Sequence, residues 1–237
     1  MKALRLLLPL FAVAPFSLLA QLGISGKGDV VKQEIQLETI TGVELNFSGD
    51  IVLTQGSSQK IVMEGQQNIL DNIKREVKNG VWKVRYDKNV RDAKPVKITI
   101  TMATLTDVAL SGSGDIMTTN IFSGLGEVDV AISGSGKIQL NLNATAIEAA
   151  VSGSGNVTLE GMSNSLEIAI SGSGGVKAQN LKTGNCEVAI SGSGDALVYC
   201  TATLETAISG SGDVKYKGDA PKVRASISGS GNVSEIE

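Results

Sequence analysis

Six carboxylates recur at one position of a repeated phrase through the 237-residue chain: Asp107, Asp129, Glu148, Glu167, Glu187 and Glu205. Each stands four residues before a serine-glycine tetrad, as in "EVAISGSGD" from Glu187 to Asp195. If successive copies stack as strands, the acids form a row with steps of about 4.8 Å. Such a row could hold a divalent cation or supply paired carboxyls for acid/base work. Glycosidases need two carboxyls roughly 5 to 9.5 Å apart. A regular row offers such distances at every step, so the spacing does not by itself select an enzyme. The same row costs somewhat under about 1 kcal/mol per neighbouring pair in water, which salt, a divalent cation or a basic partner would relieve.

The remaining chemistry is narrowed by what the chain lacks. Histidine is absent, which removes Ser/His/Asp and Cys/His nucleophile systems and the usual catalytic zinc sites. The "GSGD" corners resemble the glycine-aspartate calcium repeats of secreted β-rolls, without their double glycine or nonapeptide period. The residue after the tetrad reads Asp115, Lys137, Asn156, Gly175, Asp195, Asp213 and Asn232. Lys137 and Gly175 suit a turn better than a metal array. The six acids are therefore only weak candidates as metal ligands, and neither a catalytic nor a cofactor-binding residue is assigned. "SGSGDI" contains G-x-G, but no helix follows and no dinucleotide loop is completed. With 21 basic and 24 acidic residues and no basic cluster, the chain is a poor nucleic-acid binder.

The elements that must position the acids are legible from the repeat. The tetrads begin at Ser111, Ser133, Ser152, Ser171, Ser191, Ser209 and Ser228, and a unit of this length without helical periodicity predicts one coil of a solenoid. Before each tetrad the residues alternate with period two, the signature of a strand with one buried face. Leu110, Ile132, Val151, Ile170, Ile190, Ile208 and Ile227 form one inward column, with Val108, Val130, Ala149, Ile168, Val188, Thr206 and Ala225 two residues earlier. The outward residue between them is alanine in six copies and Ser226 in the last, and the tetrad serines form further outward ladders. Both tetrad glycines fall on the inward parity, so the tetrad reads as a narrow corner. Cys186 falls in a core column and Cys200 near the next corner. They are either two small buried hydrophobes or, if the chain is exported, a disulfide.

Met1 to Ala20, with Lys2, Arg5 and the run "LLLPLFAVAPFSLLA", reads as a secretory signal peptide. It is too short and too proline-interrupted to span a bilayer, and no integral membrane segment is expected in the mature chain. Its removal takes Lys2 and Arg5 from the 21 basic residues, leaving 19 against 24 acidic ones. Residues 21–104 read as an irregular β segment and 105–237 as the regular repeats. "ITGVELNFSGDI" from Ile40 superposes on "LTDVALSGSGDI" from Leu105 as a diverged coil, with Phe47 in a glycine position. Ile69, Leu70, Ile73 and Val77 have helical spacing and predict a short helix over 68–77 that caps one end. "RYDKNVRDAKP" reads as an exposed loop. Trp82 and Tyr86 fit core or cap packing better than a recognition patch. Glu235 and Glu237 place charge at the final edge, which discourages end-to-end pairing.

The "SGSGD" repeats, "DNIKREVKNGVWKVRY" and "PVKITITM" together resemble an exported bacterial family, common in Bacteroidetes and described as auto-transporter adhesin, head GIN. The resemblance covers essentially the whole mature chain. It implies an all-β, right-handed parallel β-helix of the pectin-lyase type, single-stranded, with coils of about 19 residues and serine-glycine corners. It also implies a role in cell adhesion and brings no catalytic residues. The expectation is an exported envelope or surface scaffold without enzymatic activity, cofactor or nucleic-acid partner. Its partner would be a protein or polysaccharide of the cell surface, with homo-oligomerisation compatible. A polysaccharide-active β-helix enzyme and a cation-binding solenoid are the alternatives.

Overall fold

The alternation of the repeats becomes nearly continuous strand in a computed structural model that describes residues 23–218 and 222–236. The predicted signal peptide lies outside the described residues. The chain is an all-β solenoid of about 7 turns with coils of ~19 residues. Its first part comprises β1 (Ile24–Ser25), β2 (Val30–Ile35), β3 (Gly42–Leu45), β4 (Asp50–Gln55) and β5 (Lys60–Gln66), then α1 (Gln67–Leu70). β6 (Val77–Lys78), β7 (Val81–Val84), β8 (Val90–Asp92) and β9 (Lys97–Met102) follow. The regular stack begins with β10 (Asp107–Leu110) and β11 (Asp115–Thr118) and continues through β12 (Phe122–Gly134), β13 (Lys137–Gly153), β14 (Asn156–Gly172) and β15 (Gly175–Gly192). It finishes with β16 (Asp195–Gly210), β17 (Asp213–Lys217), β18 (Lys222–Gly229) and β19 (Asn232–Glu235).

Every step between regular coils is parallel, and the strand before each tetrad stays in register: Ile132 lies beside Val151, Val151 beside Ile170, Ile170 beside Ile190 and Ile190 beside Ile208, while register shifts fall elsewhere in the coil, as between Ala178 and Lys182. Leu110 to Ile208 in that column, and Ile116, Ile138, Val157, Val176, Ala196 and Val214 across the corner, are all buried. Burying an aliphatic side chain contributes roughly 1.5–3 kcal/mol, so each added coil extends one core by several such terms and needs only its neighbours.

From the Ser133 tetrad onward the two glycines of a corner are required for different reasons. Gly172 has φ 127° and Gly192 φ 126°, a region that is essentially glycine-only. Gly174 lies outside that region, but a Cβ there would overlap the Gly155 carbonyl oxygen of the neighbouring coil and stand 2.7 Å from Val151 Cγ1. The inward parity of the tetrad is thus explained by the close approach of one coil's backbone to the next.

The irregular N-terminal part joins the same stack in a different chain order. β3 and β4 pair with β10 and β11 so that Val43 meets Val108 and Ile51 meets Ile116, which is the predicted alignment of "ITGVELNFSGDI" on "LTDVALSGSGDI". Below them β7 pairs with β3 and β9 with β4, both parallel. β5 then runs antiparallel to β9, and β2 antiparallel to β5. The expected helix over 68–77 is corrected to the four residues of α1. Ile69 and Leu70 are buried, but Ile73 forms an antiparallel bridge to Tyr86 and Val77 enters β6. Apolar side chains in this segment face one core from a turn and a strand, which mimics helical spacing. The expected loop "RYDKNVRDAKP" likewise contains β8, which pairs in parallel with β1.

Candidate functional site

The parallel register assembles the predicted acid row. Asp107 lies beside Asp129, Asp129 beside Glu148, Glu148 beside Glu167, Glu167 beside Glu187 and Glu187 beside Glu205. Asp107 is half-buried and the other five acids are exposed. The row is closed at its far end by Arg224, whose Nη1 donates to Glu205 Oε1 at 2.6 Å. At its start Thr106 Oγ1 donates to Asp107 Oδ2 at 2.6 Å. Glu127, which the repeat does not single out, adds a third carboxylate beside Asp129 and Glu148, with ligand oxygens all within 4.8 Å of one another. All three are exposed, and exposed acidic groups commonly cluster without binding an ion, so the grouping alone defines no metal centre.

Asp129 is held above the usual carboxylate range, first by partial burial and then by the negative charges of Asp107 and Glu127. The folded chain therefore holds this proton to higher pH than the unfolded chain does, and stability falls as pH rises from near 3.8 through the raised value. Asp129→Asn is expected to raise the melting temperature at neutral pH. The gain should vanish at pH below the unfolded value. A gain that persists undiminished in acid would show that charge relief is not its cause.

The corner acids have a structural task. Asp195 Oδ1 accepts from the backbone N–H of Asp213, and Asp213 Oδ1 accepts from that of Asn232, both at 2.9 Å. These two corner side chains each tie their coil to the next, while Lys137 and Gly175 at the same position of other coils show that the turn itself does not require the bond. A second ladder, unsuspected from sequence, runs along another corner: Ser163 Oγ donates to Thr145 O, and Thr201 Oγ1 donates to Thr183 O at 2.9 Å. The hydroxyl spacing of this ladder, Thr145, Ser163, Thr183 and Thr201, follows the coil period and was the available signal.

Trp82 is fully buried, its Nε1 donating to Lys74 O at 3.0 Å. Tyr86 stacks on Phe47 with ring centroids 4.1 Å apart, and burial pushes its hydroxyl up to about 12. Both serve packing, and Phe47 fills a corner that glycine occupies elsewhere.

A concave feature lies next to the acid row. A groove with a volume of about 680 Å³ runs over the outward alanines from Ala131 to Ala207 and ends at Ser226, with the first tetrad serines along it. It crosses six coils, a length of about 24 Å at the strand spacing. The alanine column was visible in the sequence. Its concavity arises because methyl groups stand between a column of long acids and the corner.

Fold and faces together define a β-solenoid with outward ladders of alanine, serine and carboxylate side chains. Residues 39–220 match the family described as "Putative auto-transporter adhesin, head GIN domain", and the chain belongs to that family. A structure described as a putative adhesin from Bacteroides fragilis has 27% sequence identity and a TM-score of 0.82, covering 90% of this chain and all of the other. The fold is shared with a protein described as a putative lipid binding protein from Parabacteroides distasonis, at 22% identity and TM-score 0.72 over 90% of this chain and 99% of the other. It is shared also with a putative adhesin from Parabacteroides merdae, at 19% identity and TM-score 0.70 with the same coverage. No curated protein matches the chain. Among the described residues no helix is long and apolar enough to cross a membrane.

Proposed function

We propose that the chain is an exported, non-catalytic binding module of the cell envelope, of adhesin type, which takes an extended surface polymer along the alanine-serine groove. The carrying observation is the continuity of that groove over six coils. Its alanine floor suits the apolar face of a sugar ring, while serine hydroxyls on one flank and carboxylates on the other offer hydrogen bonds. The family description and that of the Bacteroides fragilis relative support the adhesin class. In this reading the acid row is a polar flank of the groove, with neither catalytic nor cofactor role.

A lipid acyl chain is the second reading, favoured by the predominantly apolar groove and by the description of the Parabacteroides distasonis relative. Thermal melts against neutral and basic polysaccharides and against phosphatidylcholine vesicles separate the two, because a ligand of the folded state raises the midpoint. A polysaccharide-dependent shift that Ala169→Glu with Ala189→Glu abolishes is expected. A shift with vesicles alone selects the lipid reading. A shift untouched by the two substitutions removes the groove from either.

A further inference from the structure

The two ends of the solenoid are built differently. At the N-terminal end β2 and β5 lie over the stack, α1 sits against β5, and the edge strand β2 carries Lys32 and Glu34, ion-paired with Glu64 and Lys60. Charges on an edge oppose pairing with another chain. At the other end β18 is exposed at every position. Val223 and Ile227 are 36% and 44% exposed, whereas Leu204 and Ile208, their neighbours in the same inward columns one coil earlier, are at 0% and 2%. Among the described residues β18 pairs with β16 alone and β19 with β17 alone. Among the described residues nothing covers the core at β18, which leaves a row of its backbone donors and acceptors pointing away from the stack. Solenoids require a polar terminal unit for solubility unless something covers the end.

We propose that this end docks a second copy of the same chain, through antiparallel pairing of β18 with the partner's β18 about a two-fold axis at Ala225. The sequence of β18 is self-complementary in that register. Residues whose numbers sum to the same total face one another, so Val223 meets Ile227 and Ala225 meets Ala225, all of inward parity. On the outward face Lys222 meets Ser228 and Arg224 meets Ser226, so neither cation faces another. Antiparallel pairing keeps inward residues inward, and the two cores become continuous. The contact is isologous and closes at two copies. Glu235, the acid that argues against end-to-end contact, lies in β19, and β18 itself contains no acidic residue.

Two measurements on the exported chain test this. Light scattering with size exclusion is expected to give about twice the monomer mass, and Val223→Lys with Ile227→Lys is expected to halve it while leaving the circular dichroism of the strands intact. Both positions are already solvent-exposed in the single chain, so the lysines can be accommodated there. The described residues hold no free cysteine. In Ala225→Cys the introduced thiols lie opposite one another, within the Cα separation that a disulfide spans. Oxidised Ala225→Cys should run as a reductant-sensitive dimer, and Ser226→Cys, which faces Arg224, should cross-link far less. A wild-type chain monomeric at every concentration, or equal cross-linking of the two variants, overturns the proposal.

Discussion

Gly174→Val is expected to destabilise the fold by about 3–5 kcal/mol, at the upper end of what single substitutions do. A Cβ at Gly174 would meet backbone, the Gly155 carbonyl oxygen, as well as Val151 Cγ1. A flexible side chain could move aside, but the carbonyl belongs to a coil locked by parallel hydrogen bonds on both sides. The clash must therefore open the spacing between β14 and its neighbours. Coils interact with their nearest neighbours, so the loss of hydrogen-exchange protection should centre on residues 152–192. Gly126 supplies the control. It lies in β12, where a Cβ would have nothing within 4 Å, and its φ is not positive. Gly126→Ala should stabilise by about 0.4–1 kcal/mol through the unfolded chain. Urea midpoints for the two variants should move in opposite directions. Equal small effects would show that corner glycines are dispensable.

That contrast shows which parts of the architecture are written locally. The inward columns, the acid row and the outward alanines follow from period-two alternation repeated at the coil spacing, and each falls where stacking places it. The alignment of Val43 on Val108 and Ile51 on Ile116 was legible for the same reason. The chain order of the N-terminal coils was not. β9 lies beneath β4, and β2 and β5 close over it antiparallel, an arrangement set by long-range pairing that leaves no periodic mark. Ile69, Leu70, Ile73 and Val77 look helical because a turn, a bridge and a short strand can turn residues at the same three spacings toward the core. The groove was hidden for another reason: concavity depends on the relative reach of alanine, serine and glutamate across neighbouring coils, which no single coil displays.

The cysteine pair was open to two readings because its geometry crosses a coil. Cys186 and Cys200 are joined as a disulfide, 14 residues apart, with Cα atoms separated by 6.2 Å and both side chains buried. Cys186 sits beside Leu166 and Leu204 in an inward column, and Cys200 beside Thr183. The bond thus ties two neighbouring coils through the core. Closing a loop of about 15 residues lowers the entropy of the unfolded chain by the equivalent of about 3 kcal/mol. Cys186→Ala with Cys200→Ala is expected to lose that amount in urea unfolding, and reductant should shift the wild-type midpoint towards the variant's while leaving the variant's unchanged. Thiol titration of the unreduced, unfolded protein should find no free thiol, and two would refute the bond. The test also bears on compartment, since disulfides persist in oxidising surroundings and are rare in the cytosol. A protein isolated from its native cells with the bond fully formed supports the exported location that the binding proposal needs. The Cys186–Cys200 bond joins β15 to β16, the strand on which β18 pairs. Its loss should therefore loosen the terminal coils first, and with them the end at which a second copy is proposed to dock.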